Sequence, residues 1–220
     1  MLKCGIPYFM TTKISWNEIN RMPCDTFEWE GIDGSRVLTH FVPTRDYEDG
    51  LDKNRGAHYT TYTGNPNPSQ VKGAWKRYGQ KYLNREALMT FGYGDGGGGP
   101  TKEMLENQRR LEKGIPGCPK TVMTTALNFF ETLDRHVRGK KYLPSWVGEL
   151  YLEYHRGTYT SMARNKKYNR KSEFAYLNAE LFGMMNRELT GGEYPDAAIY
   201  DAWEKIFGNQ FHDIFPGSSI

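Results

Sequence analysis

The pattern of apolar and polar positions in the first part of the chain predicts short β-strands. A short β-prone run covers residues 8–11, and two further runs cover 25–30 and 35–42. The segment Gly31-Ile32-Asp33-Gly34 between the last two runs has the composition of a tight turn. We therefore predict one strand followed by a β-hairpin.

The pattern then changes to a loop and a second group of elements. Residues 43–70 are rich in Gly, Pro and Asn and predict a long loop, which in a compact domain is usually functional. Helical spacing follows over 71–83, and the apolar run 87–91 predicts a buried strand. That run leads into the glycine-rich segment 92–100.

The next elements complete an alternating order of strands and helices. Thr101 is a suitable N-cap for a helix over 102–113, which Gly114 ends. A strand is predicted over 120–124 and a helix over 125–138. This alternation is typical of a parallel α/β sheet, in which ligands bind beyond the carboxyl ends of the strands. Residues 91–100 and 42–52 both occupy that kind of position.

The character of the sequence changes near Pro144. Long helical patterns over 160–188 and 196–211 are separated by a short break that contains Gly191, Gly192 and Pro195. Two long helices with a short connection indicate the start of a helical bundle. We therefore predict an α/β domain over 1–141 and a helical domain over 142–220.

Composition and charge exclude several classes of function. The net charge of +3 comes from 29 basic and 26 acidic residues, so nucleic acid is not the expected partner. No apolar stretch approaches the roughly 18 residues of a membrane span, so we expect no membrane partner. The three cysteines are far apart, which favours a reducing, cytoplasmic location over a disulfide framework.

Aromatic residues make up 14% of the chain, with 15 Tyr and 5 Trp. Such rings serve as apolar platforms in carbohydrate-binding proteins, but they also pack protein cores. Composition alone favours packing.

Four motifs, in a consistent order, bring the chain close to one known family. They are Lys13-Ile-Ser-Trp-Asn17 with Phe27-Glu-Trp-Glu-Gly-Ile-Asp-Gly34, Phe91-Gly-Tyr-Gly-Asp-Gly-Gly-Gly-Gly-Pro-Thr101, residues 148–161 with Asn169-Arg170, and residues 209–218. In these motifs the chain resembles the α-mannosidases of glycoside hydrolase family 38. The segment Asp-Gly-Gly-Gly-Gly-Pro-Thr is similar to the cytosolic and bacterial branch of that family.

The resemblance implies a fold and a reaction. The fold is part of a mostly parallel β/α catalytic domain, followed by helices of a three-helix bundle. The reaction is the hydrolysis of α-linked mannose with retention of configuration, which needs two carboxyl groups about 5–5.5 Å apart. The family also holds a Zn²⁺ that binds the 2- and 3-hydroxyls of the sugar and acts as a template.

The resemblance assigns His212 as a zinc ligand. A lone His near the end of an apolar helix is more often an ordinary core or surface residue, and only the surrounding motif reverses that preference. Asp213 is expected to bind substrate hydroxyls, with N-capping or orientation of His212 as the alternatives. Zinc normally requires three or four protein ligands, so one imidazole is not sufficient.

The remaining assignments concern the two loops. The acid/base is expected to be Asp46, with Asp49 as the alternative; a surface carboxylate without a catalytic role is nearly as good an interpretation. Asp95, Tyr93 and Tyr47 are expected to contact a mannose-containing oligosaccharide. The alternative for Asp95 is a strand-to-helix turn in which its carboxylate accepts hydrogen bonds from local amides.

The family's early His-x-Asp motif and its nucleophile have no counterpart in this sequence. We therefore expect a fragment that lacks the N-terminal part of the polypeptide, binds zinc weakly and is inactive by itself. The alternative is a non-catalytic, mannose-binding or scaffold protein derived from such an enzyme. Relatives are commonly oligomeric, so a homo-oligomer is a further option by analogy.

Overall fold

The computed structural model describes residues 1–45 and 59–218. Contacts between Cα atoms divide the chain into two compact units, Met1–Tyr154 and His155–Ile220. Each unit is described by itself below.

The first unit contains a four-stranded sheet. Its strands are β1 (Tyr8–Thr11), β2 (Thr26–Glu30), β3 (Arg36–Phe41) and β4 (Ser145–Val147). The order across the sheet is β1-β3-β2-β4, with β1–β3 and β2–β4 parallel and β2–β3 antiparallel. The predicted first strand and hairpin are confirmed, and so is the mostly parallel α/β fold class.

Three helices accompany the sheet: α1 (Pro68–Arg77), α2 (Lys102–Glu112) and α3 (Ala126–Val137). Each begins after a residue whose side chain accepts a hydrogen bond from a backbone N–H of the first turn, and these residues are Asn67, Thr101 and Thr125. Short 3-10 turns lie at Leu2–Cys4, Lys13–Ser15 and Glu153–His155. The predicted N-cap at Thr101 is confirmed.

Both faces of the sheet are covered by apolar side chains. On one face, β3 packs against α3 in a cluster that consists of Leu38, Val42, Leu83, Leu88, Phe129, Phe130, Leu133 and Val137. On the other face, Ile14, Phe27 and Phe41 form a second cluster, which Trp29 and Trp146 partly cover. Strand β3 is therefore central, and the backbone that leaves its carboxyl end is held in place from both sides.

Three predicted elements of the first unit differ from the structure. The helix predicted over 71–83 ends at Arg77, where Tyr78 leaves the helical backbone region. The run 87–91 forms only an isolated bridge, between Phe91 and Gly64. No strand is assigned within 120–124 in the described chain, where Val122 is 70% exposed. Apolar content predicted strands here, but no neighbouring strand supplies the backbone hydrogen bonds of a ladder.

The second unit consists mainly of α4 (Ala163–Thr190) and α5 (Asp196–Asn209). Trp203 of α5 packs edge-on against Tyr176 of α4 and donates from Nε1 to Glu180 Oε1. The two predicted helices are confirmed. In α4 no residue is buried; in α5 Ile206 is buried, whereas Phe207 is 60% exposed. Two helices bury only the seam between them, so their other faces stay open.

Two further features concern the cysteines and the apolar character of the helices. Cys4, Cys24 and Cys118 are free thiols. Among the described residues, none of the helices combines the length and the apolar character needed to cross a bilayer.

Candidate functional site

The parallel strands β1 and β3 bring their carboxyl ends to the same edge of the sheet. Beyond β1 the chain forms the 3-10 turn Lys13–Ser15, and beyond β3 it continues to Thr44. The backbone N–H of Val42 donates to the Thr11 carbonyl oxygen at 3.1 Å, and that of Thr61 donates to the Thr44 carbonyl oxygen at 3.0 Å. The segment that starts at Tyr59 therefore lies beside this edge.

Thr60 connects the segment that starts at Tyr59 to the turn after β1 by hydrogen bonds. Ser15 Oγ accepts a hydrogen bond from the Thr60 backbone N–H at 2.9 Å. Trp16 donates from Nε1 to the Thr60 carbonyl oxygen at 3.0 Å. The ring of Trp16 is thereby fixed at the sheet edge.

Further aromatic rings lie close to Trp16. The Trp16 ring lies 5.4 Å from the Tyr59 ring and 5.6 Å from the Tyr154 ring, centroid to centroid. The Lys13 ammonium nitrogen lies 4.8 Å from the Trp16 centroid and 5.1 Å from the Tyr62 centroid. Both distances are within the range of a cation–π contact, so two rings hold Lys13.

The glycine-rich turn, residues 92–100, is the second part of the candidate site, beside the aromatic rings at the sheet edge. Gly64 connects it to the sheet edge, because Gly64 N–H donates to the Thr90 carbonyl oxygen and Gly92 N–H donates to the Gly64 carbonyl oxygen, at 3.2 and 3.0 Å. Tyr93 N–H then donates to the Gly99 carbonyl oxygen at 3.1 Å and closes the turn. Gly92 has a φ of 111° and lies against Pro100, so a side chain there would be both strained and crowded.

The turn places Tyr93 and Asp95 on the surface, next to the aromatic cluster. A Cβ atom built on Gly94 would lie 3.8 Å from the Tyr62 ring, which shows how closely the turn approaches that ring. Tyr93 is 58% exposed, and Asp95 is also exposed. Within the described ranges, no hydrogen bond or ion pair reaches the Asp95 carboxylate, so the local-amide alternative has no support there.

A substitution at Gly64 tests whether the bridge sets the position of the turn. A Cβ at Gly64 would lie 2.5 Å from the Thr90 carbonyl oxygen and 2.9 Å from Thr44 Cγ2. We expect Gly64→Ala to lower the free energy of unfolding by about 1–3 kcal/mol, the usual cost of overpacking. Chemical denaturation measures this loss.

Gly79→Ala is the matched control, because nothing lies within 4 Å of its added Cβ and its φ is not positive. Equal stability of Gly64→Ala and Gly79→Ala would contradict the close packing at Gly64.

The second unit carries the predicted metal ligand. Helix α5 ends at Asn209, and the following turn contains His212 and Asp213. Gln210 holds the start of this turn against α4 by donating from Nε2 to Asn169 Oδ1 and to Glu173 Oε1, at 3.1 and 3.2 Å. The chain beyond His212 is also fixed to α4.

That second attachment is made by Lys166, which donates from Nζ to the Phe215 carbonyl oxygen at 2.8 Å. The side chains of His212 and Asp213 are 80% and 69% exposed, and His212 Nε2 lies 3.6 Å from Asp213 Oδ1. Both side chains are open to a ligand.

These residues fit a zinc site only in part. Among the described residues, no group of three His, Cys, Asp or Glu side chains could hold a metal ion. His212 and Asp213 offer two donors, whereas zinc takes three or four protein ligands. Any complete site must draw its remaining ligands from other residues.

The predicted site residues fall into three groups. Tyr93 and Asp95 are brought together in the first unit, and His212 and Asp213 are neighbours in the second. Asp46, Asp49 and Tyr47 lie outside the described residues. Their roles stay predictions.

Sequence reasoning missed Lys13, Thr60 and Tyr62. Lys13 and Trp16 belong to a recognised motif, and their spacing of three within a tight turn was an available signal. Thr60 and Tyr62 gave no such signal, because they are adjacent to Trp16 and to the glycine turn only in the tertiary structure.

The comparisons with known proteins agree on one family. Residues 1–149 match the glycosyl hydrolases family 38 N-terminal domain, and residues 153–220 match the alpha mannosidase middle domain. An alpha-mannosidase of Saccharomyces cerevisiae is 40% identical over 98% of this chain and 19% of its own length. Alpha-mannosidase 2C1 of Mus musculus is 38% identical over 100% of this chain and 19% of its own length.

A solved structure shares the fold. The crystal structure of an alpha-mannosidase from Enterococcus faecalis V583 superposes with a TM-score of 0.62, at 18% identity, over 97% of this chain and 23% of that chain. The chain thus spans about a fifth of the length of the relatives that it matches.

Proposed function

Because the chain belongs to glycosyl hydrolase family 38, we propose that it supplies sugar-binding residues and one zinc ligand to a retaining α-mannosidase. The substrate class is an α-linked mannose residue of a glycan or oligosaccharide. The observation that carries this proposal is the exposed carboxylate of Asp95, which has no partner among the described residues and lies on a glycine turn closed by the Tyr93–Gly99 hydrogen bond, within a chain that matches the family over both of its domains.

The proposed roles follow from the chemistry of each group. A carboxylate without protein partners accepts hydrogen bonds from sugar hydroxyls, and a tyrosine ring such as Tyr93 packs against the apolar face of a sugar. Asp95 and Tyr93 come from the same turn, so one ligand can contact both. The tight closure of that turn limits the reorganisation that binding requires.

His212 and Asp213 are proposed to act together in the second unit. The neutral imidazole of His212 supplies one ligand, and Asp213 either binds a sugar hydroxyl or orients the imidazole. When bound, Zn²⁺ supplies a template and electrostatic stabilisation for the sugar hydroxyls. The remaining ligands are proposed to come from residues outside the described ranges.

Retaining hydrolysis also needs an acid/base and a nucleophile. Asp46, or Asp49 in its place, is proposed as the acid/base. For the nucleophile this chain offers no residue that the family motifs assign. We therefore propose that the 220-residue chain binds α-mannosides without hydrolysing them, and that the protein acts in the cytoplasm.

Ligand titration of the purified chain tests the proposal. We expect methyl α-mannoside to bind more tightly than methyl α-glucoside, its epimer at the 2-hydroxyl. Asp95→Asn is expected to weaken mannoside binding about tenfold, because it removes a charged acceptor. Asp33→Asn is the control, because Asp33 is an exposed carboxylate paired with Lys3 in the hairpin turn.

Two outcomes would overturn parts of this proposal. If no mannoside binds, the chain does not carry a sugar site. If the chain hydrolyses a chromogenic α-mannoside with added zinc, and both Asp46→Asn and His212→Ala abolish that turnover, the chain contains the complete catalytic machinery.

A further inference from the structure

We propose that Lys13 is a sugar-binding residue: its ammonium group donates hydrogen bonds to hydroxyl oxygens of the mannoside that contacts Asp95. Tyr62 supplies the adjoining apolar surface. This inference rests on the proposed function and extends the site to residues that the family motifs do not assign a role.

The position of Lys13 is fixed by its surroundings. It begins the 3-10 turn beyond β1, and its backbone N–H donates to Thr11 Oγ1 at 3.0 Å. Its ammonium nitrogen lies 4.8 and 5.1 Å from the rings of Trp16 and Tyr62. Because Trp16 is itself hydrogen-bonded to Thr60, the ammonium group is held at a defined place on the sheet edge.

The ammonium group of Lys13 keeps its donors available. No carboxylate lies within 4.0 Å of its nitrogen among the described residues. Aromatic faces attract the positive charge but accept no conventional hydrogen bond, whereas an ammonium group carries three N–H donors. Lys13 therefore differs from Lys205, whose ammonium is paired with Asp201 on one helix face.

Tyr62 connects Lys13 to the glycine turn. Its ring contacts the Lys13 ammonium and also lies close to the Gly94 position. Tyr62 is 37% exposed, and no side-chain hydrogen bond to its hydroxyl is found in the part of the chain that the structure describes. The exposed part of the ring can pack against the C–H face of a sugar.

The charges around this ring are complementary to a polyhydroxyl ligand. Lys13 offers cationic donors beside Tyr62, and Asp95 offers an anionic acceptor on the turn whose Gly94 position lies close to the same ring. A sugar ring presents hydroxyls at its edge and C–H groups on its face. The juxtaposition of donor, ring and acceptor fits that pattern better than it fits a purely anionic ligand.

Titration of the full 220-residue chain with methyl α-mannoside tests the role of Lys13. Lys13→Met keeps the aliphatic stem and removes the ammonium group, and we expect it to weaken binding about tenfold. Lys13→Arg restores the charge and should recover part of the affinity. Tyr62→Leu should also weaken binding, since it removes the aromatic surface.

Lys141→Met is the matched control, because Lys141 is an exposed lysine of the same unit. It should leave binding unchanged. Thermal unfolding of each variant separates loss of binding from loss of fold: the Lys13 variants are expected to keep the Tm of the parent chain.

The outcomes separate this inference from the proposed function. If the parent chain binds the mannoside and Lys13→Met binds it equally well, the role of Lys13 is overturned and the proposed function stands. If the parent chain binds no mannoside, both are overturned. A loss of affinity in Lys13→Met at unchanged Tm, with partial recovery in Lys13→Arg, supports the assignment.

Discussion

Acidification from pH 6.5 towards pH 3 is expected to destabilise this protein through the buried imidazole of His40. His40 is fully buried, and this burial lowers its pKa to about 3, from a usual value near 6.5. The unfolded chain therefore binds a proton in this interval while the folded chain does not. The stability that the neutral imidazole contributes is complete above pH 6.5 and is lost as the pH falls.

The contacts of the ring explain why protonation is resisted. His40 Nδ1 lies 2.9 Å from Thr26 Oγ1, and Nε2 accepts a hydrogen bond from the Leu88 N–H at 3.4 Å. The rings of Tyr78 and Phe129 pack around the imidazole. A second proton on Nε2 would face a backbone donor, in a site that is closed to bulk solvent.

The expected slope is about 1.4 kcal/mol of unfolding free energy for each pH unit between these two pKa values. His40→Gln removes the titration, so the difference in stability between the parent and this variant should shrink steadily from pH 6.5 to pH 3. Urea denaturation at several pH values measures that difference. His136→Gln is the control, since it replaces an exposed histidine outside this buried cluster.

A pH-independent difference between the parent and His40→Gln would contradict the neutral, buried state of His40. The comparison with a variant is necessary because other groups titrate in the same range. Burial raises the pKa of Asp25, and backbone hydrogen bonds lower the pKa of Glu153.

Replacement of Asn17 by alanine is expected to cost about 2–4 kcal/mol of unfolding free energy, because three hydrogen bonds of a buried side chain are lost together. Asn17 is 1% exposed. Its Nδ2 donates to the carbonyl oxygens of Asn20 and Tyr151 at 2.8 and 2.6 Å, and its Oδ1 accepts from the Glu153 N–H at 2.7 Å. The cost arises because an alanine side chain cannot replace these hydrogen bonds.

The Glu153 carboxylate also holds residues 17–20 against residues 151–153. It accepts hydrogen bonds from the backbone N–H groups of three successive residues, Glu18, Ile19 and Asn20. Together the two side chains join residues 17–20 to residues 151–153, at the end of the first unit.

Equilibrium denaturation followed by tryptophan fluorescence measures the effect, and Asn128→Ala is the control. Asn128 is exposed on α3, where alanine is a good helix former. We expect Asn128→Ala to remain within about 0.5 kcal/mol of the parent, as surface changes usually do. An Asn17→Ala variant as stable as Asn128→Ala would show that the hydrogen bonds of Asn17 contribute little to the free energy of unfolding.

The sequence predicted well where local signals decide the structure. The Gly31–Gly34 turn defined the hairpin, and Thr101 defined the start of α2, because turn and cap chemistry act within a few residues. It failed at 87–91, where Leu88 is buried but the only pairing in the described chain is the isolated bridge between Phe91 and Gly64. Burial and strand pairing leave the same pattern in an apolar run, and only neighbours distant in sequence distinguish them.

In the candidate site, too, some residues were indicated by local sequence signals and others only by the tertiary structure. Motifs in the sequence determined the family and pointed to Asp95 and His212, because these residues lie in contiguous segments of fixed spacing. Only the tertiary structure brought Lys13 and Trp16 close to Tyr62, and Tyr62 close to the glycine turn. Lys13 and Tyr62 belong to segments that meet because parallel strands end at one edge, and a position in space of this kind leaves no local pattern in the chain.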